Sequence, residues 1–283
     1  MTERASESLT PTDIVLSVEN LVVEFPTAKG VYRAVNGVSF TIERGSTLAL
    51  VGESGCGKST VARSLVRLIK PTSGSIVLDG IDIAAMPEGK LRPLRSKIQM
   101  VFQDPYGSLD PHLTAQQIVA EPLKLRGMRP AERNAEAARL IDLVHLPATA
   151  LERRPAEFSG GQRQRIGIAR ALASRPDLLV CDEATSALDV SVQAQVLKLL
   201  VELQEATGVT YLFISHNLGV VREISQSVLV MRHGEVVEHG PTERVLASPA
   251  QLYTRALRAA ALDPSTIHGR KPRGVLAVAE RVA

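Results

Sequence analysis

Apolar and polar positions alternate at a period of two over Leu16 to Glu24 and again over Ala34 to Ile42, which predicts two half-buried strands. Arg44-Gly45 breaks that rhythm. Thr47 to Val51 is then continuously apolar after its first residue and reads as a buried strand, followed by a glycine-rich turn and a helix reaching about Ile69. Ser75 to Leu78 predicts a strand that turns at Asp79-Gly80, and Lys97 to Phe102 another short one. From about residue 103 to 158 the pattern changes to turns and helices with no clear strand; Ala137, Leu140, Ile141 and Val144 share one helical face. Strand signals return at Asp177 to Asp182 and Thr210 to Ser215. Between them Val192, Val196, Leu199, Leu200 and Leu203 form the stripe of an amphipathic helix. Ser227 to Met231 and Glu235 to His239 flank His233-Gly234 as a hairpin.

Strands alternating with helices predict an α/β fold built on a mostly parallel sheet covered by helices. The expected organisation is a disordered tail over 1–13, one folded unit over 14–265, and a flexible tail over 266–283 rich in Gly, Pro and Arg. A helical segment of about 103–165 is inserted in that unit. No internal repeat is visible, so the chain carries one such unit.

Composition narrows the class. With 45% hydrophobic and 22% charged residues, the 283-residue chain has ample material for a core. Basic and acidic residues nearly balance (33 against 30), tryptophan is absent and aromatics make up 3%, which argues against a nucleic-acid partner. The only cysteines are Cys56 and Cys181, so a disulfide framework is not expected and a reducing compartment is the natural reading. No apolar run is long enough for a membrane-spanning helix, and residues 1–13 lack the apolar stretch of a signal peptide.

The candidate chemistry begins at Gly52-Glu53-Ser54-Gly55-Cys56-Gly57-Lys58-Ser59, which fits G-x-x-x-x-G-K-[ST] between a strand and a helix. Glycines let the backbone close around a polyphosphate with its N–H groups inward, and the helix N-terminus at Ser59-Thr60 favours negative charge. Lys58 would neutralise the outer phosphates and the Ser59 hydroxyl would ligate Mg²⁺. Asp182 ends the apolar strand Leu178 to Cys181, where a carboxylate can hold Mg²⁺; Glu183 follows, placed to act as a general base. Ser159-Gly160-Gly161-Gln162 opens an arginine-rich helix with a good N-cap, a second helix terminus suited to anions. Two phosphate-binding termini with one P-loop suggest a dimer in which each chain caps its partner's nucleotide. Cys56, beside a helix N-terminus, is either a thiol of lowered pKa that a bound nucleotide protects from alkylation or a small inert loop residue.

Taken in order along the chain, these segments resemble the ATP-binding subunits of ABC transporters. Ser159 to Gln162 is similar to the family's signature motif, with Phe158 where Leu is commoner. Gln103 matches the Q-loop glutamine, Ser186-Ala187-Leu188-Asp189 the D-loop and His216 the switch histidine. The resemblance covers roughly residues 14–245. It implies a P-loop NTPase core with an antiparallel β subdomain and a helical subdomain insert, binding ATP and Mg²⁺. It implies that Gln103 and Asp182 complete the metal and water shell, that Glu183 is the catalytic base, and that His216 links it to the γ-phosphate. An aromatic residue ahead of the P-loop would stack on adenine: Phe25, with Tyr32 as second choice, although Phe25 reads equally well as strand-edge core.

Val101 to Pro111 further resembles the extended Q-loop of oligopeptide and dipeptide importers, and Pro249 to Leu257 the C-terminal element of that group, here placed at about 241–265. This implies an ATPase that powers peptide import with two transmembrane permease subunits, a second ATPase subunit, and an extracytoplasmic solute-binding protein. Its place would be the cytoplasmic face of the membrane. Nickel or glycopeptide import, export, and a soluble ABC ATPase are the alternatives. Some of that group bind an iron–sulfur cluster near the C-terminus; no cysteine follows Cys181 here, so none is expected. The basic stretch His268 to Arg273 reads as a solvated tail or, less simply, as a contact for anionic lipid.

Overall fold

A computed structural model of the protein describes residues 14–28, 30–104, 107–186 and 188–262. The two expected tails, the last residues of the C-terminal element, Pro105 and Tyr106 of the Q-loop extension, and Ala187 lie outside the described residues.

β1 (Ile14–Thr27) and β2 (Gly30–Glu43) form a long antiparallel pair. β3 (Thr47–Gly52) is buried at every residue, because parallel neighbours pair with both its edges and both faces are covered. α1 (Lys58–Leu65) starts from Gly57 in the left-handed region. It stops short of the expected Ile69: Arg67 turns to φ 55°, and the N–H groups of Leu68 and Ile69 both return to the Arg63 carbonyl.

β4 (Ser73–Leu78) and β5 (Ile81–Asp82) complete a four-stranded antiparallel sheet in the order β2-β1-β4-β5. The one-turn helix α2 (Glu88–Leu91) leads to β6 (Ile98–Val101). Then come α3 (Ala115–Leu125), α4 (Pro130–Leu143) and α5 (Gly160–Ala173), with no strand between β6 and residue 177 among the described residues. Thr114 and Gln117 cap α3 reciprocally, as Ser159 and Gln162 cap α5.

β7 (Leu178–Asp182), α6 (Val190–Thr207), β8 (Thr210–Ile214), α7 (Leu218–Ile224), β9 (Ser227–Arg232), β10 (Glu235–Pro241), α8 (Thr242–Ala247) and α9 (Leu252–Leu262) follow. The second sheet runs β10-β9-β3-β8-β7-β6, parallel except for β10. The β9–β10 hairpin turns at His233 and Gly234, at φ 49° and 85°, the double positive φ of a tight two-residue connection.

Strand alternation divides the core. On β8, Tyr211 and Phe213 face the inserted helices and α6, while Leu212 and Ile214 face α1 and the antiparallel sheet. A third cluster joins β3 and β9 to α7, α8 and α9 through Val51, Val230, Val221, Val245 and Tyr253. Asp79 and Asp177, bridged by Lys97 and Arg44, tie the two sheets together at the end remote from the P-loop. Among the described residues no helix is long and apolar enough to cross a membrane.

Candidate active site

The carboxyl ends of β3, β7 and β8 open on one edge of the parallel sheet, where such folds place ligands. The loop from Gly52 to Gly57 is shaped by what surrounds it. A Cβ on Gly52 would lie 2.3 Å from the Met231 carbonyl oxygen, and one on Gly57 2.4 Å from that of Ala34, so both positions require glycine. The Cys56 carbonyl accepts from the N–H of Gly234, whose own carbonyl accepts from Asn36, pinning the loop to the hairpin and to β2. Ser54 and Gly55 form the exposed tip.

Lys58 is 5% exposed, and its Nζ donates to the carbonyls of Gly52 (2.9 Å) and Glu53 (2.8 Å), which compensates the charge of a nearly buried ammonium. Ser59 Oγ donates to Asp182 Oδ1 at 3.0 Å; Thr60 follows, half-buried in the first turn of α1. Asp182 is buried, and loss of solvent pushes its carboxyl pKa up despite the Ser59 hydrogen bond. A hydroxyl beside a poorly hydrated carboxylate suits a hard cation that brings water and phosphate oxygens as its other ligands. No cluster of three or more His, Cys, Asp or Glu side chains among the described residues offers a closed cage instead.

Glu183 leaves β7 in the left-handed region, at φ 47°, a strained conformation for a residue with a Cβ. Its N–H bonds the Ile214 carbonyl at 3.1 Å, and its own carbonyl accepts from both the N–H and the hydroxyl of Ser186. The side chain meets two partners. Gln103 Nε2 donates to Oε2 at 2.9 Å, and His216 Nδ1 lies 3.6 Å from Oε1. Gln103, just past β6, His216, just past β8, and Glu183, just past β7, thus converge from three adjacent strands. Ser186, quoted above as part of the D-loop without a role, is 3.4 Å from Gln103 Nε2; its sequence neighbourhood carries no sign of this contact.

Ser159, Gly160, Gly161 and Gln162 stand apart from this group. Their bonds are local: Ser159 Oγ accepts from Gln162 N–H, and Gln162 Oε1 from Ser159 N–H. Gly161 packs against Val192 at the start of α6, and Gly160 faces Leu188. Phe158 is buried with the Arg153 guanidinium 4.4 Å from its ring centre, which accounts for an aromatic residue before the serine.

Phe25 is half-buried against the antiparallel sheet's core and pairs across the strands with Tyr32, which is 54% exposed. Two rings therefore stand side by side near the hairpin end. Cys56 corrects one expectation: it is buried, and burial pushes its thiol pKa up although Lys58 opposes the shift, so the inert reading is the better one.

A family model described as "ABC transporter" matches residues 35–186. The chain is 50% identical over 266 residues to a "Probable peptide ABC transporter ATP-binding protein y4tS" of Sinorhizobium fredii, covering 91% of this chain and 75% of that one. It is 46% identical over 271 residues to the "Oligopeptide transport ATP-binding protein OppD" of Mycobacterium tuberculosis, 93% of this chain but 44% of that longer protein. Among solved structures, the dimeric post-hydrolysis state of the ATP-binding cassette MJ0796 bound to ADP and Pi superposes with a TM-score of 0.74 at 30% identity, over 80% of this chain and 98% of that one. CbiO1 of Clostridium perfringens, part of the transporter complex cbiONQ, gives 0.75 at 28% identity, over 90% and 97%.

Proposed function

The chain belongs to the ABC transporter family, and we propose that it hydrolyses ATP to power import of oligopeptides or dipeptides through a membrane complex. The observation that carries the ATPase reading is the convergence of Lys58, Ser59, Asp182, Glu183, Gln103 and His216 on one sheet edge. The names of the relatives support the peptide.

In this reading the P-loop N–H groups of residues 52–60 and Lys58 hold the phosphates of ATP, and Phe25 or Tyr32 stacks on the base. Ser59, Asp182 and Gln103 hold magnesium, which supplies charge neutralisation at the phosphates. Glu183, oriented by Gln103 and Ser186, takes a proton from the attacking water. His216 relays γ-phosphate contact to Glu183. Ser159 to Gln162, remote from their own P-loop set, complete the site of a second ATPase subunit in a head-to-tail dimer.

We assign the helical segment over 103–165 to coupling. A groove of about 220 Å³ runs between it and the core, lined by Val66, Leu68, Met100, Phe102, Pro122 and Arg170. Leu68 and Phe102, 58% and 37% exposed, put apolar surface together on its lining for a partner to cover. Two membrane permease subunits are the proposed partners, with an extracytoplasmic binding protein delivering peptide, and the chain sits peripherally on the cytoplasmic face. Closure around γ-phosphate moves Gln103 and with it the groove.

The test is purification of the tagged full chain from detergent-solubilised native membranes. Co-purification of two multi-span subunits, a second ATPase and a peptide-binding protein, with peptide-stimulated phosphate release after reconstitution, is the expected result. Recovery of a soluble ATPase without membrane subunits would overturn the importer reading.

A further inference from the structure

Glu53, in the P-loop, is held from two sides. Its carbonyl accepts from Lys58 Nζ at 2.8 Å within the loop. Its N–H points the other way and donates to the hydroxyl oxygen of Tyr253, 3.2 Å away and 200 residues along the chain.

Tyr253 is the second residue of α9, and several contacts make that platform firm. The Glu238 carboxylate on β10 accepts from the N–H groups of Ala250 (2.8 Å) and Gln251 (3.2 Å), satisfying donors at the start of the helix. Arg255 Nε donates to the Pro249 carbonyl at 2.9 Å. The Tyr253 ring is 8% exposed in the cluster with Val51, Val221 and Val230, and the Arg232 guanidinium lies 5.0 Å from its centre. Burial pushes the phenol up to about 12, so it remains a neutral hydroxyl at physiological pH.

The hydroxyl matters because Lys58 cannot serve two masters. It now rests on the carbonyls of Gly52 and Glu53. When it turns to a phosphate, the inner grip on Glu53 weakens, while the outer one from Tyr253 is untouched. A loop with Gly52, Gly55 and Gly57 all at positive φ has much freedom to lose, and an external hydrogen bond reduces what binding must supply. Building on the ATPase reading above, we propose that Tyr253 is a positioning residue for the nucleotide: its hydroxyl holds the Glu53 end of the P-loop in its phosphate-receiving shape, making α9 part of the ATP site.

The experiment compares the full-length wild type, Tyr253→Phe and Tyr253→Ala for ATP affinity, for the KM and kcat of phosphate release, for melting temperature, and for hydrogen exchange at the Glu53 amide. Tyr253→Phe keeps the ring. The expected result is a Kd and KM for ATP raised about three- to tenfold, as for loss of one hydrogen bond. The same variant should show faster exchange at Glu53, with kcat and melting temperature close to wild type. Tyr253→Ala should raise KM equally and also melt earlier. If Tyr253→Phe matches wild type in ATP affinity and only Tyr253→Ala departs from it, the residue is a packing group and the proposal is overturned. A wild type that binds no ATP would overturn the ATPase reading itself, and the proposal with it.

Discussion

Gln103 Nε2 lies 2.9 Å from one carboxylate oxygen of Glu183, and the ring of His216 approaches the other oxygen to 3.6 Å. The two partners follow the strands on either side of β7, so the carboxylate is oriented from both flanks of its own strand. An amide N–H on one oxygen leaves the other for a proton acceptor's work.

Glu183→Gln should therefore separate binding from turnover. The glutamine keeps the shape, and its amide oxygen can still accept from Gln103, but it has no proton affinity to offer a water. ATP affinity should stay within about twofold while phosphate release falls by roughly a hundredfold or more. Nucleotide titration beside a phosphate-release assay checks this. Unchanged turnover would remove Glu183 from the role of base.

Asp182 carries a conflict between function and stability. Its carboxyl pKa is raised in the folded chain, mainly by desolvation. Folding is then disfavoured by the charged form: the cost is absent at low pH, where the group is protonated in both states, and grows as pH rises from the unfolded value through the folded one. Asp182→Asn keeps an acceptor for Ser59 and removes the charge. Its nucleotide-free form should melt above wild type at neutral pH, and Mg²⁺-dependent phosphate release should collapse. A destabilised variant would show that the Asp182 charge is compensated within the empty site.

Much of this was legible from residue types and spacing. The strand–P-loop–helix unit announces itself, because an all-apolar strand and a glycine-rich turn are demanded by parallel pairing on both edges and by the close approach of the Met231 and Ala34 carbonyls. Asp182 and Glu183 are adjacent in sequence and could be picked out together. Their different fates could not: one is buried on Ser59, the other turned toward Gln103 and His216 by a left-handed backbone that no residue preference foretells for Glu. The end of α1 was overrun because apolar residues continue to Ile69, while the stop comes from Arg67 at positive φ. Tyr253 was visible only as part of a C-terminal element; its contact with Glu53 spans 200 residues and leaves no local pattern.

The two thiols should titrate in order. Burial raises both, Cys181 to about 12, and Cys56 in part offset by Lys58 at 3.8 Å. Folded protein near pH 7 should react with a thiol reagent more than about tenfold slower than unfolded chain. As pH rises, Cys56 should label before Cys181, read residue by residue by mass spectrometry. Rapid labelling of Cys56 at neutral pH would mean that the P-loop opens far more often than its contacts imply.

Gly161 makes the sharpest steric prediction. A Cβ there would lie 2.2 Å from Val192 Cγ1, where real contacts do not occur. Val192 cannot swing aside cheaply, because a β-branched side chain on a helix has essentially one rotamer. It is also fixed at the backbone, its N–H bonded to the Asp189 carboxylate at 2.9 Å in the first turn of α6. Gly161→Ala must therefore push α5 and α6 apart, at a cost of about 1–3 kcal/mol. Val192→Ala removes the offending methyls, so the double variant should melt within about 1 kcal/mol of Val192→Ala alone, a strongly non-additive cycle. Thermal melts of the four proteins decide it. If Gly161→Ala melts with wild type, the helices have slack at this point.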